Sequence, residues 1–151
     1  MSVLENIKQK LAAMEEQKKA MVAELQTEFP ALFKELFEKS KLINTVAWTQ
    51  YTPYFNDGDT CEFSVHSDDL YVNDEYADDL EWYSWKIKYN DYDEELKNDP
   101  NFNREESEIV REFSEIISSI PDEFLKDLFG DHARVAISRD GTVEVEEYDH
   151  D

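Results

Sequence analysis

One cysteine, Cys61, among 151 residues excludes a disulfide within the chain and fits a reducing compartment. Glycine is almost as scarce. Gly58, Gly130 and Gly141 are isolated from one another, so no glycine-rich loop exists to cradle a phosphate. The three histidines, His66, His132 and His150, share no ligand spacing with Cys61, so neither a zinc site nor any other metal or cofactor is expected. The run Asn56 to Glu62 lacks the alternating oxygen ligands and the twelfth-position glutamate of a calcium loop, and reads as a tight turn. His66 followed by Asp68 imitates a base and its orienter, but that spacing is common by chance. No catalytic residue is assigned, and the chain is expected not to be an enzyme. A run of 18 apolar residues is also missing, which argues against a membrane span. The first residues lack the basic-then-apolar order of a secretory signal. The expectation is a soluble, cytoplasmic protein.

Positive charge is the other shortage. Fifteen Lys and Arg face 37 Asp and Glu, for a net charge of −22. The imbalance is confined to one part of the chain. Residues 1–41 hold seven Lys and seven Glu, which cancel, so residues 42–151 hold 8 basic and 30 acidic residues, and 8 − 30 = −22. Such a surface repels nucleic acid and anionic membranes and attracts basic proteins. Residues 1–41 therefore read as a helical region, a possible coiled coil, and 42–151 as an acidic domain.

Against these absences stand 40% apolar residues and 20 aromatic ones (nine Phe, eight Tyr, three Trp), enough for a folded core. Residues 2–27 predict a helix in which Leu4, Ile7, Leu11, Met14, Lys18, Met21 and Leu25 alternate at spacings of three and four. That heptad pattern suits a helix packed along its own domain. It suits equally a homodimeric coiled coil, with Lys18 as a register-fixing polar residue. Pro30 opens a second helix over 30–41, with Leu32, Phe33, Leu36 and Phe37 as its apolar stripe. Residues 43–52 and 60–66 alternate as two strands around the turn at Asn56 to Asp59. A further aromatic strand is expected over 82–89. Asn103 caps a helix over 104–120, and Pro121 opens a short one over 122–129 that ends at Gly130. Strands over 133–138 and 142–147 flank Arg-Asp-Gly as a hairpin, pairing Val135 and Ile137 with Val143 and Val145. The expected fold is α+β: an antiparallel sheet of β-hairpins packed against helices, with a long N-terminal helix.

Residues 48–95 hold twelve of the 20 aromatics with many carboxylates between them. Uncompensated acids destabilise a fold by self-repulsion, so a chain that keeps them is expected to use them. The candidate partner-binding residues are Asp57, Asp59, Asp68, Asp69, Asp74, Glu75, Asp78, Asp79, Asp91, Asp93 and Glu94. Together they imitate the charge density of DNA, whose protein partners are lined with Lys and Arg. A second candidate site is an aromatic ligand pocket from Trp48, Tyr51, Tyr54, Phe55, Asn56, Trp82 and Trp85. A third reading is a dimeric structural or adaptor protein.

The stretch Trp48-Thr-Gln-Tyr-Thr-Pro-Tyr-Phe-Asn-Asp-Gly-Asp-Thr-Cys-Glu-Phe-Ser-Val65 resembles a signature of small acidic proteins of tailed bacteriophages. The resemblance covers about 18 residues and transfers no functional residue. It implies a setting, the host cytoplasm, and a class: inhibitors and counter-defence proteins, some of them DNA mimics and others sponges for nucleotide signals. The expected partner is a basic, nucleic-acid-binding protein, with no direct contact to nucleic acid or membrane.

Overall fold

Strand β1, Thr45–Tyr51, is the axis of the molecule. Every residue from Val46 to Gln50 is buried. In this computed structural model, which describes residues 2–54, 58, 61–85, 96 and 98–149, β1 is flanked by strands on both sides. On one side it pairs antiparallel with β5, Ala133–Ser138, and β5 pairs with β6, Val143–Glu147. On the other side two short strands share its length. Gln50 and Tyr51 pair with Val65 and Ser64 of β2, Ser64–Val65, while Val46 and Ala47 pair with Val72 and Tyr71 of β3, Tyr71–Val72. Strand β4, Glu75–Tyr76, closes a hairpin with β3. All six strands are antiparallel and form one sheet.

Alternation decides what each face does. Val46, Trp48, Val72, Val135 and Ile137 are at most 1% exposed and belong to one core with Phe33, Phe37, Val110, Phe113, Ile117 and Leu125 of the helices. Those helices are α2, Ala31–Lys39; α3, Arg104–Ser119; and α4, Asp122–Phe129. Aromatic rings interlock there: Phe33 stacks on Phe113 at 5.5 Å, and Phe29 meets Phe33, Trp48 and Phe129 at 5.1–6.1 Å between centroids. Because α2 shares this core with β1 and α3, the hydrophobic interior runs through residue 41 without a break. The opposite face carries Tyr51, Tyr71, Arg134, Glu144 and Glu146, with the small Ala47, Thr49 and Ala136 buried between them.

Helix α1, Val3–Glu28, is capped by Ser2, whose hydroxyl accepts from the Glu5 amide at 3.1 Å. Its last third packs on the body. Val22 and Leu25 are partly buried against the core, Lys18 pairs with Asp127 at 3.3 Å, and Gln26 Nε2 donates to the Leu128 carbonyl at 2.5 Å. Val3, Leu4, Ile7, Leu11 and Met14 stay 49–76% exposed.

Two polar staples fix the turn from α2 into β1. Glu106, 4% exposed in the first turn of α3, accepts from the Ser40 hydroxyl and the Lys41 and Leu42 amides. Arg139 donates to the carbonyls of Phe37, Ser40 and Ile43.

Three local expectations need correction. The strand expected over 82–89 is not one in its described part: none of Trp82 to Trp85 is in a strand, and 86–89 lie outside the described residues. The strand expected over 60–66 pairs at Ser64 and Val65, followed by one amide bond from His66 to the Thr49 carbonyl at 2.9 Å; residue 60 lies outside the described residues. Asn73 and Asp74, where no strand was expected on either side, form the turn of the β3–β4 hairpin with φ of 52° and 67°, the left-handed pair of a type I′ turn. Asn73 is also a hub, since its side-chain oxygen accepts from the Asn44 and Thr45 amides and its nitrogen donates to the Leu42 carbonyl.

Candidate functional site

Residues remote in sequence meet in a cleft of about 490 Å³ on the side of α3 that faces away from the core. The apolar stripe of α3 is Ile109, Val110, Phe113 and Ile117. Opposite it, Arg111, Ser114, Glu115 and Ser118 repeat at helical spacing and form one wall. Asp68 and Asp69 form the second. Asp78, from the 3₁₀ turn Ala77–Asp79, forms the third, and Tyr83 with Trp85 forms the fourth. Leu70 and Ala77, 2% and 4% exposed, make the floor.

Each wall is held by a specific bond. Ser114 Oγ donates to the Ser67 carbonyl at 2.8 Å and ties the Asp68–Asp69 turn to α3. The Ala77 amide donates to the Leu70 carbonyl at 2.9 Å and sets the 3₁₀ turn beside it. Ser107, wholly buried, donates to the Trp82 carbonyl at 3.1 Å and accepts from the Ser84 amide at 3.2 Å, anchoring the aromatic wall. Arg111 Nη1 donates to the Trp85 carbonyl at 3.3 Å, and Nη2 stands 4.0 Å from Glu115.

The cleft is strongly negative. Asp68, Asp69, Asp78 and Glu115 against Arg111 give −4 + 1 = −3 among its lining residues. Two tyrosines register this. Burial pushes the Tyr83 phenol up to about 12, with Asp78 and Asp68 adding to the rise and Arg111 opposing it. The Tyr76 phenol donates to Asp69 Oδ1 at 3.0 Å, and that bond, with burial and the nearby carboxylates, also holds it at about 12. Both pKa values are raised above the ordinary 10, so the stability tied to the neutral phenols is complete below pH 10. It is lost as pH rises through 12. A tyrosinate absorbance titration should therefore show two late phenols, and Asp78→Asn should move the Tyr83 midpoint down. An unshifted midpoint would contradict the placement of Asp78.

The structure sorts the candidate residues unevenly. Asp68, Asp69, Asp78 and Trp85 come together in the cleft. Asp79 is exposed on the 3₁₀ turn but does not line it. Asp74 and Glu75 belong to the β3–β4 hairpin, and Asp74 stands 3.4 Å from Arg134, whose guanidinium lies 5.4 Å from the Tyr71 ring. The aromatic pocket does not assemble from its named members. Trp48 is a core residue, 0% exposed, donating to Gln50 at 3.1 Å. Trp82 is partly buried against the core, Tyr51 stacks with His66 at 4.4 Å, and Tyr54 stacks on His132 at 4.8 Å. The cause is alternation: Trp48 and Tyr51 point to opposite faces of β1. Asp57, Asp59, Asp91, Asp93, Glu94, Phe55 and Asn56 lie outside the described residues.

Among the described residues no group of three or more His, Cys, Asp or Glu is arranged to hold a metal ion, and no helix is long and apolar enough to cross a membrane. No protein-family model, curated protein or solved structure matches this chain, so its function has to be read from its own side chains.

Proposed function

We propose that this chain is a non-enzymatic inhibitor, of the counter-defence kind found in phages, that acts in the host cytoplasm by binding a basic, nucleic-acid-handling protein. The observation that supports this reading is the cleft, which gathers four carboxylates and the 51% exposed ring of Trp85 around one depression. A Lys or Arg side chain of a partner fits those walls. Its charge meets Asp68, Asp69 and Asp78, and its cation lies against the indole face, an attraction of about 0.5–2 kcal/mol. The cleft volume is that of a ligand pocket, wide enough for one long basic side chain. Around it, the net charge of −22 steers a basic surface into place before contact. The chain then competes with nucleic acid for the same Lys and Arg residues, as a DNA mimic does.

A nucleotide-sequestering pocket is the weaker alternative. Its phosphates would meet four carboxylates, with Arg111 as the one cation among the described lining residues. The test is capture from bacterial lysate at about 50 mM salt, followed by release at about 500 mM, where the screening length shrinks severalfold. Wild type should retain a Lys- and Arg-rich nucleic-acid-binding protein, and Asp68→Lys with Asp78→Lys should retain none. Both positions are exposed, so the double variant should fold with unchanged or higher Tm. Equal capture by the variant would remove the cleft from the account.

A further inference from the structure

Helix α1 ends in an apolar groove of about 530 Å³ lined chiefly by Leu25, Phe29, Leu32, Ile120, Phe124 and Leu128. Leu32 is 52% exposed at its rim. The exposed stripe of α1 runs straight into it: Ile7, Met14 and Met21 recur every seven residues and lead to Glu28, which also lines the groove. Stripe and groove thus follow one another along the same helix, with a free end at Leu4 and a concave end at Leu32. The helix before Lys18 is exposed along its whole length, and an isolated segment of 12–15 residues is marginal in water. Something must cover it.

We infer that the cover is a second copy of this chain, paired antiparallel through α1. Two observations choose this occupant and its direction. The first is self-complementarity. An antiparallel pair lays the Leu4–Ile7 end of each helix into the groove of the other, making two identical contacts about one two-fold axis. In that register Ile7 meets the second copy's Leu25, Leu11 meets Met21, Met14 lies along the aliphatic stem of Lys18, and Lys10 faces Glu24. A parallel pair would leave both grooves empty and set the two Lys18 side chains against each other at one layer.

The second observation is charge. Residues 1–41 sum to zero while the rest of each chain carries −22. A parallel pair holds both acidic bodies at the same end, where they repel. An antiparallel pair sets them at opposite ends of the helix pair, each body alongside the last third of its own α1. The dimer presents its two acidic clefts on separate bodies and does not depend on what the clefts bind.

Sedimentation of the full chain should show a species of twice the chain mass. Raising salt from about 50 to about 500 mM should tighten it by screening the residual repulsion, the opposite sign to partner binding. Leu11→Glu with Met14→Glu changes two exposed residues outside the core, and should weaken association roughly 100-fold through two lost apolar contacts per helix while leaving Tm for the body unchanged. Direction is read by oxidation in a Cys61→Ser background. Ile7→Cys mixed with Leu25→Cys should cross-link, and Ile7→Cys alone should not. A monomer at all salts, or efficient cross-linking of Ile7→Cys to itself, would overturn the inference.

Discussion

Replacing Gln50 by leucine should cost about 3–5 kcal/mol of stability, measured as a fall in the urea midpoint at unchanged slope. Gln50 is 0% exposed in the central strand, yet it is polar. Its amide nitrogen donates to the Leu125 carbonyl at 2.9 Å and the Gly130 carbonyl at 2.8 Å, and its oxygen accepts from Trp48 Nε1 at 3.1 Å. The two carbonyls are the open end of α4, where the chain turns at Gly130 with φ of 93°. Gly130, past the last helical residue, has no intrahelical donor for its carbonyl, and here β1 supplies one, with the same amide reaching a second lone pair on Leu125. Leucine nearly matches the volume but strands the buried Trp48 N–H and removes a donor from the Leu125 and Gly130 carbonyls, at about 1–3 kcal/mol for a group left unpaired. Glutamate is the sharper control. It keeps an acceptor for Trp48 but offers oxygen to two carbonyls, so Gln50→Glu should be at least as destabilising as leucine. If Gln50→Glu unfolds like wild type, the bond assignment is wrong.

Glu106→Ala should cost about 3 kcal/mol, again read from urea unfolding. The carboxylate accepts from Ser40 Oγ at 2.5 Å and from the amides of Lys41 and Leu42 at 2.6 and 3.3 Å, and it sits over the N-terminus of α3, where the helix dipole favours negative charge. Bonds to a charged acceptor are worth about 1.5–3 kcal/mol each. The Ser40 hydroxyl is wholly dependent on it, being buried and itself accepting from the Ile43 amide at 2.9 Å. Lys41 and Leu42 are exposed, so water replaces part of their loss and holds the total near one strong bond and a fraction. Glu106→Gln keeps one acceptor oxygen and should recover about half. Full recovery by glutamine would show that the charge is irrelevant and that shape alone holds the turn.

These two polar residues also mark how far the sequence could be read. The elements with local signals came out in place. Asn103 caps α3 by accepting from the Glu106 amide at 3.1 Å, Gly130 ends α4, and the last hairpin pairs Val135 with Val145 and Ile137 with Val143, as alternation around Arg-Asp-Gly requires. Each is decided by residues within about ten positions. Gln50 is different, because its partners lie 75 and 80 positions away. Nothing in the residues beside it announces those acceptors, and only the pairing of β1 on both sides makes it core. The β3–β4 hairpin was missed for another reason. Its strands are two residues each, too short to show alternation, although Asn73 and Asp74 are both residue types that tolerate the left-handed φ the turn uses.

The cleft was half legible. Asp68, Asp69, Asp78 and Trp85 stand out by charge and ring, but nothing local says that they converge. Its remaining wall, Arg111, Ser114, Glu115 and Ser118, was present as the polar stripe opposite an apolar one, a pattern that usually means plain solvent contact. The bonds that make it a site, from Ser107 and Ser114 to Trp82 and Ser67, span 25 and 47 positions. Convergence of that kind is a property of the fold.

The most direct measurement is the salt dependence of affinity between this protein and the basic protein it captures, for wild type and for Asp68→Lys with Asp78→Lys. The account predicts that log K falls steeply and linearly with log salt for wild type, as for proteins that bind nucleic acid through Lys and Arg. It predicts that the variant loses binding at low salt. Affinity that is flat across about 50–500 mM salt and survives both substitutions would contradict it.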